Sequence, residues 1–326
     1  MAQIIAGVGT SHSPQLSMPS ENWSDRAVWD RTTTLFSFEE AASRAPDDIL
    51  EEITPTTMES KHVRCQIAIE SLHALCTDLN PDIVVIVGND QDELFHDSAI
   101  PAFAIHSGEK VVDEPRPLEE LHPSSRIAEW AYHGTESVEM PGHPELAMHL
   151  TSELTRAGFD VTQLQRQPEG RSIGHAFTFV QRRLLRDRVV PIVPVMINTD
   201  RPPNIVTPKR CWEIGRALRR AIDGWEGDAR ILVVASGGLT HFEVDAAFDE
   251  GVLQAMRESD RETLMELPVE RLVLGTSEVR NWIVVAGVLS EGYDMKILDY
   301  VAAYRSEAGT GCGMAFATWL PKGEHA

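Results

Sequence analysis

The stretch Asp82-Ile-Val-Val-Ile-Val-Gly88 carries no polar residue between its two ends. A strand with one face in water alternates apolar and polar residues. A strand covered on both faces reads as a continuous apolar run, so this one belongs at the centre of a sheet. Working outward, Glu59 to Leu79 precedes it with Val63, Ile67, Leu72, Leu75 and Leu79 at helical spacings, and Pro81 stops that helix before the strand begins. The same alternation recurs along the chain. Strand-like runs stand at Gln3 to Gly7, Ile100 to Ile105, Val189 to Val195, Arg230 to Ser236, Met295 to Tyr304 and Gly313 to Leu320. Helical spacing fills Pro144 to Ala157, Pro208 to Ile222 and Ser277 to Leu289. The pattern predicts an α/β fold, with a mainly parallel or mixed central sheet covered by helices on both faces, in a single large domain over residues 1–326. Two segments fit it poorly. Residues 20–58 are rich in Ser, Thr, Asp, Glu and Pro around Trp23, Trp29, Phe36 and Phe38, which reads as irregular structure packed by aromatics over a pocket. Residues 106–125 are charged and proline-rich and read as a surface excursion.

Composition excludes several classes of function. With 42% apolar residues in 326, the chain can bury a large core. Its 29 Lys and Arg against 50 Asp and Glu leave a formal charge of −21, which argues against nucleic acid or any other polyanionic partner. If the ligand is an anion, a few Arg or Lys residues inside the pocket must reverse that field locally. Cys65, Cys76, Cys211 and Cys312 have no CxxC spacing and are too sparse for a disulfide framework. The first 25 residues lack a basic start and apolar core, and no apolar run reaches the roughly 18 residues of a membrane span. A reducing, cytoplasmic location without membrane contact is expected.

In open α/β sheets ligands sit beyond the carboxyl ends of the strands. Three polar segments fall there. Ile5-Ala-Gly-Val-Gly-Thr-Ser-His12-Ser-Pro14 ends a strand on a histidine, Asn89-Asp-Gln-Asp92 follows the all-apolar strand, and Ser236-Gly-Gly-Leu-Thr-His-Phe-Glu243 follows a third. His12, His62 near the start of a helix, and an acid after the Ser-Gly-Gly turn would make two imidazoles and one carboxylate. Such a set leaves open positions on Fe(II) for a bidentate substrate and dioxygen. The same set occurs on zinc hydrolases, so composition alone does not choose the metal.

Taken in order, these segments resemble the LigB-type extradiol ring-cleaving dioxygenases, the family of protocatechuate 4,5-dioxygenase and the gallate and 3-O-methylgallate dioxygenases. The resemblance runs nearly end to end. It rests on Gly9 to Pro14, the His62 segment, Val87-Gly-Asn-Asp-Gln91 with Ile100 to Ile105, Gly174-His175, Ala235 to His241 and Gly311 to Phe316. It implies Fe(II) held by His12, His62 and Glu243, with Asp245 and Glu250 as rivals for the carboxylate. It makes His175 the acid/base catalyst, and His241 and Gln91 groups that support the ligands or touch the substrate. It further implies dioxygen and a catecholic aromatic acid (protocatechuate, gallate, 3-O-methylgallate or a lignin-derived biaryl catechol) as substrates and a homo-oligomer, a dimer, as the assembly. The chain departs from the family at two places: the family often has Asp-His at Gly174-His175, and often a His after Asn-Asp where Gln91 stands. Two other readings of the scaffold are a non-enzymatic interaction protein of the Memo type and a zinc-dependent hydrolase. His73, His106, His122, His133 and His149 read as surface or packing residues, while His96 lies near the expected rim.

Overall fold

The structure, a computed structural model, describes residues 2–96, 99–186 and 188–323. Its strands are β1 (Gln3–Thr10), β2 (Ile83–Asn89), β3 (Phe103–His106), β4 (Lys110–Asp113), β5 (Val138–Pro141), β6 (Val161–Leu164), β7 (Ile192–Ile197), β8 (Arg230–Ser236), β9 (Tyr293–Tyr304) and β10 (Gly311–Pro321). Eight of them form one sheet in the order β6-β3-β7-β2-β8-β1-β10-β9, while β4 and β5 pair separately. The middle strands β7, β2, β8 and β1 are parallel. β10 returns antiparallel to β1, β9 antiparallel to β10, and β3 antiparallel to β7, so the sheet is mixed.

β2 is buried at every position, as its unbroken apolar run requires. Its side chains divide between two cores. Ile83, Val85 and Val87 join Ile231, Val233 and the helices Pro144–Arg156, Pro208–Asp223 and Val279–Leu289 on one face. Val84 and Ile86 join Leu232, Val234 and the helix Pro55–Leu79 on the other. Each fully buried Val, Ile or Leu contributes about 1.5–3 kcal/mol, so this double coverage fixes the strand's register.

The first long helix starts at Pro55, about one turn earlier than its apolar periodicity predicts. Thr54 caps it by accepting from the Thr57 amide at 3.3 Å, and Pro55 fills the first turn, where no amide proton is needed. It ends at Asn80, whose φ of 43° breaks the helix ahead of Pro81. The segment 20–58 holds short helices at Trp23–Asp30, Phe38–Ala42 and Ile49–Glu52. The segment 106–125 contributes β4, and its residues Arg116 and Leu121 line a cavity while residues 117–120 are exposed, so the surface-excursion reading holds only in part. A further helix, Ala246–Arg257, follows the Ser-Gly-Gly turn.

Because β2, β8 and β1 are parallel neighbours, their carboxyl ends share one rim. That places His12, Gln91 and His241 around one cavity. The helix Val279–Leu289 is tied over the same rim: Asn281 Nδ2 donates to Asn89 Oδ1 at 3.1 Å and to the Ser236 carbonyl at 2.9 Å, and Trp282 Nε1 donates to the Gly237 carbonyl at 2.8 Å. Glu278, directly ahead of that helix, is thereby held among the strand ends. Among the described residues no helix is long and apolar enough to cross a membrane.

Candidate active site

His12 is buried at the end of β1, and its tautomer follows from its neighbours. Ser236 spends its single hydroxyl proton on the Ala176 carbonyl at 2.6 Å, so at 3.0 Å it accepts from His12 Nδ1–H. His12 Nε2 then faces Glu278 Oε1 at 3.2 Å. His241 repeats the arrangement: Nδ1 donates to the Leu239 carbonyl at 2.9 Å, and Nε2 stands 3.8 Å from Glu278 Oε2. Two imidazoles thus turn their outer protons away and their inner nitrogens toward one carboxylate.

Glu278 is buried, which by itself would push its carboxyl up. His12, His241 and the Gly238 amide, which donates at 2.6 Å, outweigh that and hold it at about 2, so it is ionised at neutral pH. Gln91 Nε2 donates to its Oε1. The space between His12 Nε2 and Glu278 is satisfied either by a second proton on the imidazole or by a cation.

His175 opens the short helix His175–Phe179, its ring edge-on to His12 at 4.8 Å. Glu93 Oε2 accepts from both the His175 amide, at 2.8 Å, and Nδ1, at 2.9 Å, leaving Nε2 as the nitrogen able to take a proton. A Cβ added at Gly174 would stand 2.8 Å from this same Oε2. The absent side chain at position 174 is what admits the Glu93 carboxylate beside His175. Burial draws His175 below the ordinary imidazole value against the raising influence of Glu93, so it is neutral near pH 7. Burial works against the Glu93 charge as well, but His175, His133 and Arg116 together keep its carboxyl well below the usual range. Arg116 bridges Glu93 at 3.0 Å and Glu129 at 2.7 Å, and His133 bonds Asp113 at 2.5 Å behind them.

The cavity these groups line measures about 220 Å³ and is also bounded by Arg26, Leu121, Ser125, Tyr132 and Phe242. Tyr132 donates its hydroxyl proton to the His12 carbonyl at 2.6 Å and packs edge-on to His175, fixing both histidines from one side.

Not every expected residue is there. His62 lies about two turns into its helix, not at its start, with its ring 6.3 Å from Trp23 and Nδ1 buried without a partner among the described residues. It does not line the cavity, and the structure does not bring it to His12. Glu243 is likewise turned away. Its backbone bridges Thr310 and its carboxylate pairs with Arg44 at 2.8 Å on the wall of a larger, open cavity. Of its rivals, Asp245 caps the helix Ala246–Arg257 and pairs with Arg271, and Glu250 is exposed on that helix. His133 is a buried member of the network behind Glu93, where the sequence reading had a surface or packing residue. His96 contacts Asp92 and Arg171 outside the cavity. Glu278 and Glu93 are the residues sequence reasoning missed. The signal for the first was an acid standing directly before an eleven-residue helix that is buried throughout. For the second it was an acid immediately beyond the Asn89-to-Asp92 strand end.

Whether this site suits the Fe(II) that the resemblance implies is a question of donor chemistry. His12 and His241 offer inner nitrogens whose outer protons are already committed, and Glu278 offers an ionised carboxylate; this is a donor set for a divalent cation. Among the described residues no three His, Cys, Asp or Glu side chains already stand at the spacing of a bound ion. The fit rests on the chemistry and orientation of the donors.

The family described as catalytic LigB subunit of aromatic ring-opening dioxygenase matches residues 7–313. The chain is 29% identical over 173 residues to a gallate dioxygenase of Pseudomonas putida KT2440, a match covering 49% of each chain. It is 25% identical over 176 residues to a 2,3-dihydroxyphenylpropionate/2,3-dihydroxicinnamic acid 1,2-dioxygenase of Comamonas testosteroni, covering 53% of this chain and 47% of that one. The chain spans about half the length of these curated relatives. A solved structure of an uncharacterized protein from Escherichia coli K12 superposes with a TM-score of 0.45 at 19% identity, over 76% of this chain and 91% of that one. The family match covers residues 7–313, and the chain belongs to the LigB family of catalytic subunits of aromatic ring-opening dioxygenases.

Proposed function

We propose that this protein opens the ring of a catecholic aromatic acid beside its two hydroxyls, using Fe(II) and dioxygen. The observation that carries the reading is the facing of two imidazole nitrogens and one buried, ionised carboxylate at a cavity, with a neutral histidine against them. His12, His241 and Glu278 would hold the iron. When bound, the ion would supply a chelation point for the two ring hydroxyls and a path for electrons from ring to dioxygen.

The chain's own groups supply position and proton traffic. His175, neutral and with Nδ1–H committed to Glu93, accepts the proton of a ring hydroxyl at Nε2 and returns it later in the reaction. Glu93 holds that tautomer, and Arg116 and His133 keep Glu93 ionised. Tyr132 and Phe242 bound the cavity with aromatic surface, limiting water around the reacting ring. A volume of about 220 Å³ favours one ring over a biaryl, so protocatechuate, gallate and 3-O-methylgallate are better candidates than two-ring lignin fragments.

The test is direct. Protein purified without oxygen and loaded with Fe(II) is expected to consume one dioxygen per molecule of catecholic acid and release a yellow ring-opened product. No oxygen uptake across a panel of such acids overturns the proposal. Hydrolytic activity that survives anaerobiosis with zinc would replace it.

A further inference from the structure

Among the described residues, one cation lining the cavity makes no ion pair. Three guanidinium groups line it: Arg26, Arg116 and Arg305. Arg116 is neutralised by Glu93 and Glu129, and Arg305 by both oxygens of Asp30 at 2.7 Å. Arg26, from the helix Trp23–Asp30, forms no ion pair among the described residues. Its Nη1 donates to Ser125 Oγ at 2.7 Å, its guanidinium lies 5.4 Å from the centre of the Trp29 ring, and its Nε is buried with no partner.

A buried charge without a counter-charge is costly to the fold, and the cost is relieved by whatever anion enters beside it. Burial already draws this guanidinium down to about 10, with Arg305 adding to the effect and Asp30, which pairs with Arg305, only partly offsetting it. At that value it is still charged at neutral pH. The planar fork of a guanidinium matches a carboxylate in shape and in number of donors. Ser125 Oγ accepts from Arg26, so its own proton is available to the same anion. On a protein with a formal charge of −21, an unpaired cation inside a cavity is the local reversal of field that an anionic ligand requires.

We infer that Arg26, supported by Ser125, binds the carboxylate of the substrate, so that the ring is held at one end by its acid group and presents its hydroxyls to His12, Glu278 and His175. This rests on the ring-opening reading for the identity of the ring. The recognition of an aromatic carboxylate is tested separately.

The experiment is an anaerobic calorimetric titration of the Fe(II)-loaded protein with 3,4-dihydroxybenzoate and with 3,4-dihydroxybenzamide, which keeps the diol and lacks the charge. The wild type is expected to bind the acid about ten- to a hundredfold more tightly than the amide. Arg26→Gln is expected to bring the two affinities within about twofold of each other by weakening the acid alone. Arg26→Lys, which keeps the charge and guards against a failure to fold, is expected to lose part of the preference with the fork. Absence of acid preference in the wild type, or an unchanged preference in whichever variants fold, overturns the inference. Oxygen uptake on the same two compounds judges the other reading: a wild type that prefers the acid yet opens neither ring refutes ring opening and leaves Arg26 as an aromatic-carboxylate site.

Discussion

Two cavities meet at His241 and Phe242, and the loop after β8 contributes to both. The larger, about 710 Å³, is open and holds Glu243 against Arg44 and Asp245 against Arg271, ion pairs laid in solvent. The smaller, about 220 Å³, holds Glu278 against two histidines and a backbone amide. The side chain of Glu243 is 37% exposed and that of Glu278 is 2% exposed. An exposed carboxylate paired with arginine is already satisfied by its partner and by water. A buried one facing two inner imidazole nitrogens demands a proton or a cation. Burial and convergence, not cavity size or nearness to a motif, therefore separate the candidate site from its neighbour.

The sharpest way to break this contrast is to remove each carboxylate in turn. Glu278→Gln is expected to abolish iron retention and to lower turnover by more than the roughly hundredfold that loss of a merely supporting contact costs. Glu243→Gln is expected to leave both within about twofold. Equal losses, measured by metal content and oxygen uptake, would erase the distinction between the two regions.

The wall between the cavities gives the next effect. A Cβ at Gly275 would meet His241 Cδ2 at 1.8 Å and Nε2 at 2.1 Å, so Gly275→Ala must displace the ring. Iron affinity is expected to fall by about ten- to a hundredfold. His62→Gln, a change outside the cavity, should not alter it. Iron lost from the His62 variant and kept by the Gly275 variant would restore the sequence-based ligand assignment.

A smaller effect comes from behind the site. Glu93→Gln is expected to slow turnover by about tenfold to a hundredfold, because the tautomer of His175 is no longer held by a charge. The sign of the pH change follows from the same contact. Glu93 raises the His175 pKa, so without it His175 loses its proton at lower pH. The acid limb of kcat/KM, which requires neutral His175, moves downward. A limb that stays in place would remove Glu93 from this role. The smallest effect belongs to the open cavity: Arg44→Ala breaks a pair whose side chains are 57% and 37% exposed, and should shift unfolding free energy by less than about 1 kcal/mol with turnover unchanged.

The apolar run of β2 and the strand-end motifs at His12, Asn89 to Gln91 and Ser236 to His241 were legible in the sequence, because each is a local pattern. Burial on both faces removes polar residues from a strand, and parallel strands deliver their carboxyl ends to one rim wherever they lie in the chain. His12, Gln91 and His241 were accordingly singled out at strand ends and His175 by the family resemblance, and all four line the cavity. The carboxylate was not legible. Glu243 stands two residues beyond His241 and Glu278 stands thirty-seven beyond it, yet Glu278 reaches the imidazoles. Which acid arrives depends on how the helix Val279–Leu289 lies across β1, β2 and β8, held by Asn281 and Trp282. The position of His62 was not legible either, since its helix starts at Pro55 and carries its ring round to Trp23. Sequence by itself settled the strands other than β4, β5 and β6, and the rim at which the central ones end. Only tertiary packing decided which side chains face one another across it, because that is set by contacts between segments far apart in the chain and leaves no periodic trace in either one.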